Sequence, residues 1–305
     1  LDTATAITTG GESGTAVSTT APMESLLLGV LTGDAGFRMP PDGEGERLSE
    51  AEVEIITAWV KEGAHAPANE EALADPKEYW SYQPFVRPQV SHGAEDSWSY
   101  KSVDRFIRQK HLELKLQPVG DASPAVLLRR VFLDLIGLPP KPEDVDAYIA
   151  SKEPQKYEQL VDRLLSSKHF GERLAIYWLD VVRYADSNGY HSDEARQSAP
   201  YRDYVINAFN SNKPYDDFVV EQLAGDLLPE SNIEQQVASG FNMLLQTTSE
   251  GGAQAKEYLA KYMADRVRNT SQIFLGSTMG CCECHDHKYD PFTMKDFYSF
   301  GSFFA

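Results

Sequence analysis

Apolar residues along this chain recur three and four positions apart, the spacing of one face of an α-helix, and convincing strand-like alternation is absent. Near the start, "APMESLLLGVL" takes up helical spacing in its second half. A turn-rich loop follows, "GDAGFRMPPDGEGERL", with two prolines and four glycines. A helix is then predicted over "SEAEVEIITAWVKEGA". Ser49 and Glu52 have the spacing of a capping box, Val53, Ile56, Trp59 and Val60 form one apolar stripe, and Gly63 supplies the stop. Over residues 67–99 the periodicity is lost to Pro, charge and scattered aromatics. This stretch reads as an extended linker whose "YWSYQPF" core is suited to packing on a neighbour.

From Tyr100 onward helical signals succeed one another. Val103, Phe106 and Ile107 open the first. Ser123 and Pro124 read as N-cap and first helical position of the second, which runs through "VLLRRVFLDLIG" to Gly137. "PEDVDAYIAS", "QKYEQLVDRLLSS", "ERLAIYWLDVVRYAD", "YRDYVINAFN", "YDDFVVEQLAGDLL" and "EQQVASGFNMLL" continue in the same style, and a long helix is predicted from Ala255 to Leu275. Polar loops are expected at 185–200 and 246–254. The fold class is therefore mainly α, with a small first segment over 1–66 and a larger multi-helix domain over 100–305.

Composition changes this picture little and charge narrows it. The chain has 305 residues, 42 % hydrophobic and 24 % charged, as in ordinary globular proteins. Its formal net charge of -18 argues against nucleic acid and against an anionic membrane surface as partners. No run of eighteen apolar residues is present, so no membrane span is expected. The chain opens without Met or a signal-like segment and stops inside an apolar, helix-like pattern. It reads as an internal piece of a longer protein.

The candidate chemistry lies in "STMGCCECHDHKYDPF", which holds all three cysteines and two of the seven histidines. Cys281, Cys284 and His285 spell C-x-x-C-H. This spacing lets two thiols each add to one vinyl group of a haem while the next residue becomes the proximal iron ligand. Two alternatives remain. Zinc would draw four ligands from seven residues, with adjacent Cys284 and His285 strained on one ion and no second Cys pair elsewhere. A redox disulfide between Cys281 and Cys284 would be expected beside a βαβ pattern, which is missing. Cys282 reads as a small buried residue. His287 reads as a loop or cap hydrogen-bonder in preference to a second metal site with Asp286 and Asp290. For a sixth iron ligand, His169, His191, Met243, Met263, Met279 and Met294 are the candidates. Arg266 is placed to pair with a haem propionate, with Asp265 or with another helix carboxyl.

Met39 in "FRMPP" poses a second question, since a Met on a Pro-flanked loop before a packing helix is how small cytochromes c supply a distal iron ligand. Its generic reading is a buried Met in a stiff turn. Beyond these single residues, "GGESG", "ESLLL", "RMPP" and "LSEAEVEIITAWVKEGA" resemble the C-terminal part of the planctomycete-type cytochrome c domain over residues 1–66. "SVDRFI", "LLRRVFLDLIGLPP", "YEQLVDRLLSS", "GERLAIYWLDVVRYADSNGY", "EQLAGDLLP" and "GCCECHDHKYDP" resemble the domain of unknown function 1549 over residues 100–305. The resemblance implies Met39 as distal ligand of a first haem, whose own CxxCH would precede residue 1. It implies Cys281, Cys284 and His285 as the second haem's attachment. It also implies an association with glycan metabolism.

Three functions are then in view. One is an extracytoplasmic, periplasmic c-type cytochrome relaying electrons between haem domains or to a basic redox partner. Another is a haem-dependent oxidoreductase acting on a glycan-derived small molecule, with a pocket drawing on Asp186, Asn188, His191, Asp193, Glu194 and Arg202. The third is a structural or filament subunit stabilised by haem.

Overall fold

In the computed structural model, residues 3–10, 14–41, 43, 45–67, 69–70, 75–89, 101–190 and 193–304 are described. They form two units, Leu1–Pro84 and Phe85–Ala305. The boundary falls inside the expected linker, which carries two short 3₁₀ turns, Pro76–Glu78 and Trp80–Tyr82, with Trp80 and Phe85 exposed. Among the described residues there is no strand, only two isolated bridges, so the mainly α reading holds.

The first unit contains α1 (Ala4–Thr9), α2 (Leu26–Thr32) and α3 (Glu50–Lys61). The expected capping box opens α3: Ser49 and Glu52 each accept from the other's backbone N–H. Of the predicted stripe, Val60 is buried with Val17, Leu28 and Ala64, and Ile56 and Trp59 pack against them.

The second unit comprises α4 (Ser102–Glu113), α5 (Pro124–Ile136), α6 (Pro142–Ala150), α7 (Lys156–Leu165), α8 (Lys168–Val181), α9 (Ala199–Asn210), α10 (Tyr215–Ala224), α11 (Ile233–Ala238), α12 (Ala255–Thr270) and α13 (Met294–Gly301). The predicted segments recur as helices with one consistent difference. Their C-terminal ends tighten or loosen into other turns. "AGDLL" and "SGFNM" become 3₁₀ pieces at Gly225–Leu227 and Ser239–Met243, and Ser271–Leu275 closes α12 as a π turn. Such turns let the last carbonyls find partners where a further α turn would collide with a neighbour. In α4 the apolar face forms as expected, but Val103, Phe106 and Ile107 stay on the surface. Periodicity makes a helix and does not guarantee a facing element.

Three clusters hold this unit. Leu128, Val131 and Phe132 of α5 meet Leu160 and Leu164 of α7. Ala175 and Val182 meet Tyr201, Tyr204, Val205 and Phe218 across α8, α9 and α10. Here Gly171 is required: a Cβ would come within 2.4 Å of the Ile206 carbonyl oxygen, and its N–H donates to Asn210 Oδ1 at 2.8 Å. The third cluster joins Ala264 and Val267 of α12 to Met279, Cys282 and Phe297 of the C-terminal segment.

Beside the second cluster lies a polar network. Tyr201 donates to Gln222 (2.7 Å) and accepts from Trp178 (3.1 Å). Tyr204 donates to Glu221 (2.7 Å), which is also paired with Lys213. Burial pushes the Glu221 carboxyl up, but the hydrogen bonds from Lys213 and Tyr204 more than offset it and hold it below the usual carboxylate value. Burial raises both tyrosines above the ordinary phenol value, with the Glu221 carboxylate adding to the rise at Tyr204.

Candidate functional site

The segment bearing the cysteines is placed by α12 and α13. The π turn ends α12, and Met279–Glu283 then winds as a single 3₁₀ turn against it. The Cys281 carbonyl accepts from the N–H groups of Cys284 (3.3 Å) and His285 (3.4 Å), so the five motif residues form one compact turn. Residues three apart on this turn share a side, and the two sides have opposite fates. Met279 and Cys282 are buried in the third cluster, whereas Cys281 and Cys284 are free thiols on the surface. Cys282 is 0 % exposed and its Sγ donates to the Phe292 carbonyl at 3.4 Å. Burial holds this thiol above the ordinary cysteine value, which disfavours its thiolate.

The two histidines differ in the same way. His285 lies exposed, with Nδ1 2.7 Å from the Asp286 carbonyl oxygen. A carbonyl only accepts, so Nδ1 carries the proton and the neutral ring presents the lone pair of Nε2. His287 is almost enclosed. Its Nδ1 accepts from the backbone of Tyr289 (3.1 Å) and Asp290 (2.7 Å), and its Nε2 lies 3.3 Å from Thr278 Oγ1. It stitches the loop, in line with the sequence reading.

The turn is clamped from both helices. Arg268 of α12 pairs with Glu283, between the two exposed thiols, and lies 3.4 Å from where a Cβ at Gly280 would stand. Tyr298 of α13 donates its hydroxyl to the Glu283 carbonyl (3.0 Å), and the Met294 N–H donates to Asp286 Oδ1 (2.8 Å). Arg266, the arginine singled out in the sequence, is engaged elsewhere. Its Nε donates to the Asn242 carbonyl (3.0 Å), while Asp265 is held by Arg183 through two bonds of 3.0 and 2.8 Å. Of the partners the sequence offered Arg266, Asp265 is taken by Arg183 instead. Arg268 was missed, yet a signal existed. Ala264, Val267, Arg268 and Ser271 fall at helical spacing on one face, and Ala264 and Val267 pack against Cys282.

The sixth-ligand candidates are dispersed. Met279 and Met263 belong to the third cluster, His169 Nδ1 is 2.6 Å from Glu172 Oε2, and Met243 is exposed on its 3₁₀ turn. Met279 sits on the motif's own 3₁₀ turn, the Met294 N–H donates to Asp286 just after the motif, and His191 lies outside the described residues. Met39, in the first unit, is exposed, and its N–H donates to the Val30 carbonyl at 2.9 Å. Among the described residues no group of three or more His, Cys, Asp and Glu could hold a metal ion, so the zinc alternative gains no ligand set.

The polar loop after α8 is built around Arg196. That guanidinium donates to Asn188 Oδ1 (3.1 Å), to the carbonyls of Met243 and Leu245 (3.1 Å to the latter) and to Thr247 Oγ1 (2.8 Å). Asp186 accepts from Tyr184 (2.8 Å) and Ser198 (3.1 Å). Asp193 accepts from the Gly189 N–H (2.7 Å), and hydrogen bonds from Ser187 and Gly189 hold its carboxyl below the usual value. Arg202 pairs with Asp203, and Glu194 meets Ser249 at 3.5 Å. The loop's charges are thus largely directed at the loop and its neighbours.

Compared with known families, residues 102–305 match the model described as PSCyt2, a protein of unknown function (DUF1549). The chain belongs to this family. The match spans the α4–α13 unit and includes the motif-bearing segment, in agreement with the resemblance over residues 100–305. It does not extend to residues 1–66, so the cytochrome c-like reading of that part rests on its sequence words alone. No curated protein and no solved structure matches the chain.

Proposed function

We propose that this PSCyt2-family protein is an extracytoplasmic c-type cytochrome that passes electrons through a haem held by thioether bonds at Cys281 and Cys284, with His285 as proximal iron ligand. The observation that carries the reading is the division of labour within one turn. Both thiols and the Nε2 of His285 are left uncommitted on the surface, while Cys282, Glu283, Asp286 and His287 fasten the turn from behind. A covalent haem requires this arrangement: two accessible thiols three residues apart and an imidazole whose other nitrogen is already bonded, which raises its basicity and fixes its ring. When bound, the haem supplies a one-electron iron couple. The chain's part is to anchor it, present Nε2 and keep Cys282 out of reach.

Attachment at CxxCH takes place outside the cytoplasm, which supports a periplasmic or otherwise extracytoplasmic location. Among the described residues no helix is long and apolar enough to cross a membrane. The net charge of -18 suits a basic redox partner. By resemblance, Met39 on its exposed Pro-flanked loop serves as distal ligand of a first haem, to which the second would relay electrons. Electron transfer is preferred to glycan oxidation because the carboxylates of the 186–196 loop already accept hydrogen bonds from their own surroundings.

The test is optical. Chain produced with c-type haem attachment is expected to give a c-type band in the pyridine haemochrome assay and a low-spin spectrum unmoved by carbon monoxide. A missing c-type band removes the reading. A carbon monoxide adduct moves it from electron transfer to ligand-binding chemistry at an open iron position.

A further inference from the structure

We infer that the outer face of α13, carried by Met294 and Tyr298, is the wall against which the haem of the Cys281–His285 turn packs. This rests on the cytochrome reading above and adds to it a binding surface. Met294 and Tyr298 stand four residues apart and share one side of the helix. They remain 38 % and 51 % exposed, whereas Phe297 and Gly301 on the inner side are buried. That inner side packs on α12: a Cβ at Gly301 would come within 2.3 Å of Met263 Sδ, so the glycine makes room for that side chain. With its inner side packed into the third cluster, the helix leaves Met294 and Tyr298 toward the outside.

Two hydrogen bonds register this surface on the motif. The Tyr298 hydroxyl donates to the carbonyl of Glu283 (3.0 Å), the residue before Cys284. The Met294 N–H donates to Asp286 Oδ1 (2.8 Å), and Asp286 is the residue whose carbonyl aligns His285. One helix face therefore adjoins both the thiol-bearing turn and the loop that orients the iron ligand. With its hydroxyl bonded and its ring set edge-to-face with Phe297 (centroids 5.3 Å apart), Tyr298 is held in place while staying half-exposed, and a thioether beside an aromatic ring makes a polarisable apolar surface for a flat macrocycle. A haem anchored at the adjoining thiols is the occupant that continuity with the motif selects. A second copy of the chain is the competing occupant and an outcome of the test.

The experiment compares wild type, Met294→Gln, Tyr298→Ser, the double variant and Tyr298→Phe, all as full chain carrying attached haem. Haem per chain is read by pyridine haemochrome, packing by Soret circular dichroism, the iron's surroundings by midpoint potential, and association by sedimentation. The double variant is expected to keep its attached haem while losing most of its Soret dichroism. Its midpoint should shift to lower potential, because wetting the ring favours the charged ferric state. Tyr298→Phe should retain the wild-type signals. If wild type carries haem and the double variant matches it in dichroism and potential, the wall is elsewhere and the cytochrome reading stands. If wild type carries no haem, both fall together. If the substitutions abolish self-association and leave the haem signals alone, the face belongs to a second copy. Should the double variant fail to fold, Met294→Gln decides alone, since its backbone N–H is unchanged.

Discussion

The Cys281–His285 turn and the Asp186–Arg196 loop look alike in sequence, since both are short, polar and rich in groups that do chemistry. In the loop the polar atoms turn inward: Arg196 satisfies four acceptors, and Asp186, Asn188 and Asp193 accept from neighbours within reach. In the turn the bonds are made by Cys282, Glu283, Asp286 and His287, and the atoms left over are two thiol sulfurs and one imidazole nitrogen. Residue type does not separate a site from a structural loop here. What sets the candidate site apart is which atoms remain without a partner, because a satisfied donor or acceptor has little to gain from a ligand.

The strongest way to break this contrast is to remove the leftover atoms. Cys281→Ser with Cys284→Ser is expected to abolish covalent haem, and His285→Ala to disrupt its spectrum, while the second cluster still folds. Helical circular dichroism and the haemochrome assay report the two separately. A double serine variant that kept thioether-bound haem would end the assignment.

Next in size is the Lys213–Glu221 pair, the most enclosed charged pair among the described salt bridges. Lys213→Met leaves Glu221 and its Tyr204 bond without a cation and should cost about 3 kcal/mol in chemical denaturation, toward the low end for a buried pair since Lys213 is partly exposed. The sign of its pH dependence follows from the lowered carboxyl. Glu221 contributes stability above its unfolded value of about 4.5, and this is lost as pH falls through the lower folded value. The acid limb of unfolding should therefore shift to higher pH in Lys213→Met. At the alkaline end the raised Tyr201 and Tyr204 give stability that is complete below about pH 10 and declines above it.

Arg196→Ala should cost about 2 kcal/mol, since it strips a donor from part-buried carbonyls and from Thr247, and should leave haem content untouched. Loss of haem in this variant would show that the loop and the turn are not independent. The smallest effect is expected from Arg268→Ala. Its pair with Glu283 is half-exposed, so stability should change by less than about 1 kcal/mol in the same denaturation measurement.

Much of this architecture was legible from local pattern. The mainly α class, the Ser49–Glu52 capping box, the start of α5 at Pro124 and the extent of the α12 segment follow from interactions within a few residues of each other, and such interactions are written in order along the chain. The C-x-x-C-H spacing is equally local, and the expected burial of Cys282 is met by its packing with Ala264, Val267, Met279 and Phe297. What lay beyond sequence reasoning depends on partners distant in the chain. Which arginine serves the motif was decided by the face α12 turns to Cys282, so Arg268 takes Glu283 while Arg266 goes to Asn242 and Asp265 to Arg183. Whether the apolar stripe of α4 finds cover, and whether the polar loop is a pocket or a knot around Arg196, were decided in the same way. Sequence by itself determined which helices form and where the reactive atoms are. Only tertiary packing decided which of those atoms are left exposed, because exposure is a property of neighbours that local spacing does not encode.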